Sequence, residues 1–501
     1  MTTLGRNVAA NIAGAVFLGV ATLAVVPLYL RWLGADAYGL IGFHMALQGL
    51  LILFDLGLSV GINRELALLS ATAEGMTSVR GVIHTGLRLY GAAAIGLALL
   101  MSAFAPLIAA RWVETTTIFQ PVVVTCLRLM SVALAAQFVA LLYSAGFLGL
   151  QRQVLHSALT SSTVLLRFGG GAVVAFVTHD IRAFFAWQAV AGLFQLLAMA
   201  VALERVLPAR RAEARFDPRW LRNAWSLARG VAVVSAMAAV TTQGDKFAVS
   251  RASALAVFGY YTAATVLAMA AAGGAAPVAS AVFPRFAQLL ALDEREELSL
   301  AYHRAVQAMA AIVLPVACVL AIWSREVVFV WTGDPVLASG ARILTVLLVA
   351  GTAMNGLLNV PYMLQLAHGW TTPATIMNGA ALVTFVPAMF VAAALLGPIG
   401  AATVFAAMHA SFLVCGVVVT QSRLLTQSSR WSFLRDTAPA ALAASGLAVA
   451  GRFLFPVGLG RIETTLALAV VGIAAFGGAV LVTPAVREWI GGQWPGRRTS
   501  A

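Results

Sequence analysis

Residues 8–30 read VAANIAGAVFLGVATLAVVPLYL, a run without one charged side chain, closed by Arg31-Trp32. As a helix, at 1.5 Å per residue, it is about 34 Å long. That is enough to cross the roughly 30 Å hydrocarbon core of a bilayer. Backbone groups in lipid need partners inside their own segment, so a run of this length is a helix and not a strand. It begins after only a few polar residues and has no small-residue cleavage pattern, so it reads as a retained helix rather than a signal peptide.

The pattern recurs along the chain. Of 501 residues 61% are hydrophobic and 10% charged, against about 25% charged in a soluble domain. Apolar runs place helices at 8–30, 39–62, 83–110, 121–145, 154–177, 183–204, 224–243, 257–283, 305–331, 342–366, 374–396, 400–422, 438–457 and 464–485. The expected fold is an all-α polytopic membrane protein of about fourteen transmembrane helices.

Charge sets their orientation. Connections on the side of both termini hold about 21 basic residues, among them Arg64, Arg80, Arg152, Arg205, Arg285 and Arg435, against about 9 on the other side. By the positive-inside rule both termini are cytoplasmic, and an even helix count requires the same. The net charge of +13 is therefore topological and speaks against a nucleic-acid partner. Trp32, Trp112, Trp323, Trp331 and Trp489 fall near helix ends, where indoles anchor at the interface.

The longest basic connection carries Pro208 and Pro218 and divides the chain. The expected organisation is a lobe of helices one to six (1–205), a basic cytoplasmic linker (206–223), a lobe of helices seven to twelve (224–425), and two extra helices with a cytoplasmic tail (426–501). An echo supports a pseudo-repeat. Leu33-Gly34-Ala35-Asp36-Ala37-Tyr38-Gly39 precedes the second helix and Leu255-Ala256-Val257-Phe258-Gly259-Tyr260-Tyr261 the eighth. Repeat-built transporters place their substrate path at the repeat interface.

Ionisable groups within a membrane face the protein interior or a water-filled cavity. On helix two, His44, Gln48, Asp55 and Ser59 share one face. On helix five His156, Thr160, Thr163 and Arg167 do so and run into Gly169-Gly170-Gly171. Helix four has Thr125, Arg128 and Ser131, helix one Asn7, Asn11 and Thr22, and helix ten Thr352, Asn355 and Asn359. Counted from the cytoplasmic ends of their helices, Arg167 lies roughly 20 Å and Arg128 roughly 26 Å deep. Two guanidiniums at similar depth could share one anionic group such as a diphosphate, or each could pair with a carbonyl or with Asp55. The candidate substrate-binding residues are thus Arg128, Arg167, His44, Gln48, Asn355 and Asn359. Asp55 and Asp245 are candidates for ion coupling, against structural hydrogen bonding for Asp55 and neutralisation by Lys246 for Asp245.

Cys126, Cys318 and Cys415 fall inside apolar runs and imply neither disulfide nor metal. There is no phosphate-binding glycine loop followed by Lys-Ser or Lys-Thr and no cluster with metal-ligand spacing. No catalytic residue, cofactor or metal is expected, and the chain does not read as an enzyme.

Pro27-Leu28-Tyr29-Leu30-Arg31-Trp32-Leu33-Gly34, Tyr38-Gly39-Leu40, Phe54-Asp55-Leu56-Gly57-Leu58-Ser59 and Arg64-Glu65-Leu66-Ala67 resemble the Wzx-type polysaccharide flippases of the multidrug/oligosaccharidyl-lipid/polysaccharide exporter superfamily. Gln243-Gly244-Asp245-Lys246 leading to Gly259-Tyr260-Tyr261 is similar to that family's seventh-to-eighth helix region. The resemblance implies two six-helix lobes in a V around a cavity that opens alternately to the two sides. The implied cargo is an undecaprenyl-diphosphate-linked oligosaccharide for O-antigen, lipopolysaccharide, capsule or exopolysaccharide assembly, moved across the bacterial inner membrane by an ion gradient. Membrane lipids, a polysaccharide polymerase and chain-length proteins are the partners it implies. Lipid II flippases carry arginines in the first helix, and none stands between Arg6 and Arg31 here. Multidrug exporters place an acid in the first or seventh helix, where this chain has only Asp245. A cation-coupled exporter, a lipid II flippase and a membrane polysaccharide polymerase or ligase are the competing readings. The last lacks the sizeable outer loop it needs.

Overall fold

The computed structural model describes residues 3–72, 75–115, 117–207, 218–425, 431–456 and 458–490, with backbone alone for 3–16, 218–232 and 489–490. The central part of the basic linker, the C-terminal tail and the side chains of Asn7 and Asn11 lie outside the described residues. The described chain is helical throughout, and eleven of its helices are long and apolar enough to cross a membrane. Thr3–Leu33 and Pro218–Ala252 add two more, and Thr372–Leu424 holds two spans joined at a kink. The all-α polytopic fold with about fourteen spans is thereby met. Side chains are distributed accordingly. Leu99, Phe176, Leu395, Phe453 and Ile473 are exposed, whereas His44, Asp55, Gln188 and Asp245 are buried.

Packing divides the chain into two compact units, Met1–Gly259 and Tyr260–Ala501. Pro218–Ala252, the seventh span, packs on the pieces of the second and so belongs to the first unit. The fourth span, Gln120–Gly149, is the centre of that unit, contacting the third (Gly75–Arg111), the sixth (Ile181–Val206) and the end of the second. Its buried face carries Leu134, Phe138, Leu142 and Phe147, and Ile62, Tyr90 and Leu203 close around them. Burying such side chains contributes about 1.5–3 kcal/mol each when the alternative is water. In lipid, close packing and hydrogen bonds carry more of the association.

Several spans are not the uninterrupted helices that apolar runs predict. The second is built from Ala35–Gly49, Leu51–Asp55 and Leu58–Leu69. It breaks at Leu56 and Gly57, both left-handed (φ 49° and 72°). The fifth, Gln153–Thr178, widens into a π turn at Leu165–Gly169. The kink in Thr372–Leu424 falls at Gly397 (φ 64°, ψ −152°). A side chain is strained in that conformation, and Pro398 bars Gly397 from the α region. The ninth span runs Arg295–Ile322 rather than 305–331, and Ser324–Thr332 is a separate short helix.

The two echoing glycine turns meet. A Cβ on Gly39 would fall 2.2 Å from the Leu255 carbonyl oxygen, and one on Gly259 2.5 Å from that of Ala35. Both glycines are required for backbone to approach backbone, which small residues permit between membrane helices.

In the second unit the ninth span is the centre. It holds the tenth (Arg342–Ala367), the thirteenth (Ser432–Leu454) and the fourteenth (Arg461–Val482). Ala440, Ala444 and Ala448 are fully buried at four-residue spacing on the thirteenth, as are Ala475 and Ala479 on the fourteenth. Polar contacts fix the two ends of the join. Toward one end Asp436 accepts from Gln307 Nε2 (2.8 Å) and lies against His303 Nδ1, and Gln307 Oε1 accepts from the Ala485 N–H (3.2 Å). At the other, Arg452 donates to both oxygens of Glu326 (2.7 Å each) and to the Ile322 carbonyl (2.7 Å), and sits over the Trp323 ring at 4.2 Å. Trp323 Nε1 donates to the Ala448 carbonyl (2.9 Å).

These contacts give two predictions. Gly39→Ala should lower stability in detergent by about 1–3 kcal/mol through overpacking, while Gly19→Ala, with open space around its Cβ position, should not, as read by thermal unfolding. Burial pushes the Glu326 carboxyl up, but the Arg452 hydrogen bonds outweigh it and hold the group below the usual glutamate value of 4.5. The carboxylate is therefore favoured in the fold, and its contribution is present above the unfolded value and lost as pH falls through the folded one. Glu326→Gln should cost about 1–3 kcal/mol at pH 7. Its melting deficit relative to the parent should shrink below about pH 4.5, in melts run across the acid range.

Candidate functional site

The polar interior of the first unit is organised by the π turn. Its wider ring shifts the backbone register and leaves carbonyls turned toward neighbouring helices, as π turns at functional sites do. Three successive carbonyls are met by side chains. Trp187 Nε1 donates to Leu166 (3.0 Å), Gln188 Nε2 to Arg167 (3.1 Å) and the Tyr29 hydroxyl to Phe168 (2.9 Å). The glycines that follow admit these partners. A Cβ on Gly170 would stand 2.4 Å from the Trp187 ring, and one on Gly171 2.9 Å from the Tyr29 hydroxyl.

Gln188 also accepts from Arg167 Nε through Oε1 (3.1 Å). One amide thus holds both the backbone and the side chain of Arg167. This is the only hydrogen bond of the guanidinium among the described residues, so its terminal nitrogens remain available to an acceptor. His44 from the second span packs on the sixth, three residues before Gln188. That imidazole is 3% exposed, and neither nitrogen has a hydrogen-bond partner among the described residues. It packs edge-on against Phe185 at 5.8 Å, and Phe184 continues the aromatic wall from Phe185 to Tyr29. Buried polar atoms without partners call for an explanation. Here two donor-bearing groups, one of them always charged, share an interior region.

The other candidates sit in different surroundings. Arg128 is exposed on the fourth span, and its side chain makes no hydrogen bond or ion pair among the described residues. Gln48 is half-buried one turn beyond His44. Asp55 is buried, and both its oxygens are engaged. Ser59 Oγ donates to Oδ2 (2.7 Å) and the Tyr90 hydroxyl to Oδ1, with the Tyr90 ring stacked on Phe138 at 5.0 Å. Asp245 is fully buried against Lys246 Nζ (3.3 Å). Asn355 is exposed and Asn359 half-buried in the second unit, where Asn359 Nδ2 donates to the carbonyls of Asn355 (3.0 Å) and Gly356 (3.1 Å). No cluster of metal-ligating side chains occurs among the described residues.

Gln188, Trp187, Tyr29 and Tyr90 were not among the residues singled out by their sequence pattern. An amide in the first third of the sixth span was the available signal for Gln188. The partners of a π turn have none, since its carbonyls are invisible in a sequence.

The polysaccharide biosynthesis protein family matches residues 4–290. The chain belongs to that family. A search of curated protein sequences returns no match. Among solved structures, the lipid II flippase MurJ in an inward closed conformation superposes with a TM-score of 0.72 at 14% identity, over 95% of this chain and 99% of that one. An inward-facing MATE family multidrug resistance transporter of the MOP superfamily gives 0.63 at 16% identity, over 82% and 96%. The MATE multidrug transporter DinF-BH gives 0.61 at 13%, over 85% and 97%. At these identities the likeness establishes the fold: a polysaccharide biosynthesis family member built on the architecture of MOP-superfamily transporters.

The π-turn network is directly testable. Gln188→Leu removes the donor to the Arg167 carbonyl and the acceptor for Arg167 Nε together. Leaving such buried groups unmet costs about 1–3 kcal/mol each, so its melting point in detergent should fall well below that of Gln188→Glu, which keeps an acceptor for Nε. An unchanged melting point in Gln188→Leu would show that the amide is not what holds the turn.

Proposed function

We propose that this membrane protein flips an undecaprenyl-diphosphate-linked oligosaccharide from the cytoplasmic to the periplasmic leaflet of the bacterial inner membrane. It does so by alternating access driven by an ion gradient, with both termini in the cytoplasm. The observation that carries the reading is Arg167. It is a permanent cation inside a span, aimed by Gln188 and the π turn, and flanked by the unpartnered ring of His44. A diphosphate offers what such a group lacks, because a guanidinium pairs with its oxygens through two parallel N–H donors. Arg128, Gln48, Asn355 and Asn359 would meet the cargo along its path. Asp55 and Asp245 would be the coupling acids. The family match supports a role in polysaccharide assembly, and the MOP-superfamily fold supports transport. The surface polysaccharide served is O-antigen, capsule or exopolysaccharide, and the polymerase and chain-length proteins would receive the cargo.

The fold is shared with multidrug exporters, which makes a cation-coupled exporter of small amphiphiles the second reading. A permanent cation in the interior disfavours cationic drugs as cargo, since like charges repel strongly where water is scarce.

In proteoliposomes loaded with a fluorescent polyprenyl-diphosphate oligosaccharide, Arg167→Gln should slow flipping at least tenfold while inserting normally, and Arg167→Lys should restore part of it. Full flipping by Arg167→Gln would remove the charge-clamp mechanism. Normal surface polysaccharide together with drug sensitivity in a deletion strain would replace the flippase reading with the exporter.

A further inference from the structure

One polar cleft in the first unit has no part in the Arg167 network. It is an open cleft of about 460 Å³ at the end of the third span, beside the last turn of the seventh, lined by the half-buried Trp112 and the exposed Arg111, Glu114, Gln120 and Arg251. Its walls are fastened to each other. Trp112 Nε1 donates to Ser250 Oγ (3.1 Å), the Trp112 ring meets Phe247 edge-on at 6.5 Å, and the Leu255 N–H donates to the Glu114 carbonyl (2.8 Å). The cleft is therefore a built feature and not a gap between loosely packed turns.

Arg111 and Arg251 both line it, one from each helix. Each also lies in the last turn of its helix, where a cation complements the exposed carbonyls. That role accounts for one arginine per helix end. It does not account for both opening on one cleft with an indole, an amide and a carboxylate. Two guanidiniums against one Glu114 leave a net positive charge. A carboxylate or phosphate accepts from a guanidinium fork in bidentate fashion. Amide and carboxylate side chains serve hydroxyl groups, and an indole offers an apolar face to the C–H side of a pyranose ring. Sites that combine a few polar groups with an aromatic surface fix the orientation of small ligands.

We propose that this cleft binds an acidic saccharide, with Arg111 and Arg251 on the anionic group and Gln120 and Glu114 on ring hydroxyls. The inference rests on the flippase reading in that it supplies a substrate class, an oligosaccharide containing a uronic or otherwise anionic sugar. In the proposed orientation the cleft lies on the periplasmic side and would hold the head group as it leaves.

The test is calorimetric titration of the full-length protein in phosphatidylcholine nanodiscs with three probes: a glucuronate-containing oligosaccharide, a neutral glucose oligosaccharide of equal length, and inorganic diphosphate. The acidic oligosaccharide should bind at least tenfold tighter than the neutral one. Arg111→Gln and Arg251→Gln, once shown to be monodisperse with the parent's melting point, should each weaken it tenfold or more. Arg167→Gln should leave it unchanged and weaken diphosphate instead. Equal binding of the acidic and neutral sugars, or a loss that follows Arg167→Gln alone, would overturn the proposal. So would phosphatidylglycerol nanodiscs that abolish sugar binding by occupying the cleft, because the anion would then be a lipid head group. Selective sugar binding in a protein that fails to flip lipid-linked cargo would sink the transport reading and leave the cleft assignment standing.

Discussion

Everything polar in this molecule is governed by one constraint: a backbone group inside hydrocarbon must find its partner within the protein. A regular helix meets that requirement unaided, and most of the chain consists of such helices. The interest lies where the helix is interrupted. At Leu165–Gly169 three carbonyls are taken by Trp187, Gln188 and Tyr29 from other spans. At Leu56–Gly57 the chain turns left-handed, and the Asp55 side chain just before it is met by Ser59 and Tyr90. Beyond Ile322 the ninth span stops, and Arg452 from the thirteenth takes the freed Ile322 carbonyl. At the π turn and beyond Ile322 a neighbouring span supplies the donor, so these interruptions tie spans together.

The two units use this device differently. In the first, the fourth span joins its neighbours through apolar side chains such as Phe138 and Phe147, and the hydrogen-bonded groups collect around the second, fifth and sixth. In the second, the thirteenth and fourteenth spans close on the ninth through alanine faces, with polar links at the two ends, His303–Asp436–Gln307 and Arg452–Glu326. Alanine faces bring backbones near but say little about register, since one alanine replaces another four residues on. The terminal links remove that ambiguity, because a shift of one turn would separate Arg452 from Glu326 and Asp436 from Gln307 together.

Composition and run length were sufficient for the fold, because the bilayer converts an apolar run into a helix almost regardless of its details. Residues 154–177 were legible as a span for that reason, and of the stripe through Thr163 and Arg167 the structure buries Thr163 and leaves Arg167 half-buried. The π turn in the same span was not legible. A wide turn and a regular one draw on the same residue types, and the choice between them is made by Trp187 and Gln188, twenty-one positions away. The break after Asp55 was hidden in the same way, since Leu56 is an ordinary membrane residue and only its left-handed backbone is unusual. The paired glycine turns were visible as an echo, but nothing in an echo says that Gly39 meets Leu255 and Gly259 meets Ala35. Runs of apolar residues also displaced the ninth span toward the C-terminus; it ends where Trp323 turns to the Ala448 carbonyl.

The ionisable groups of the first unit differ in how completely their surroundings answer them. Asp55 has a donor on each oxygen, and adding a proton would set one of those donors against another. Asp245 lies against an ammonium. The acids are thus supplied with donors or charge in this state, and a transport cycle that protonates either must first break an existing bond. Arg167 stands the other way round: one nitrogen is engaged by a neutral amide, no carboxylate pairs with its charge among the described residues, and the nearby His44 ring has no partner. A half-buried cation inside a span without a counter-ion is expensive unless an anion arrives for part of the time. The imbalance therefore favours an anionic cargo at Arg167. In the cycle we propose, release of that anion would be the step at which Asp55 and Asp245 have work to do.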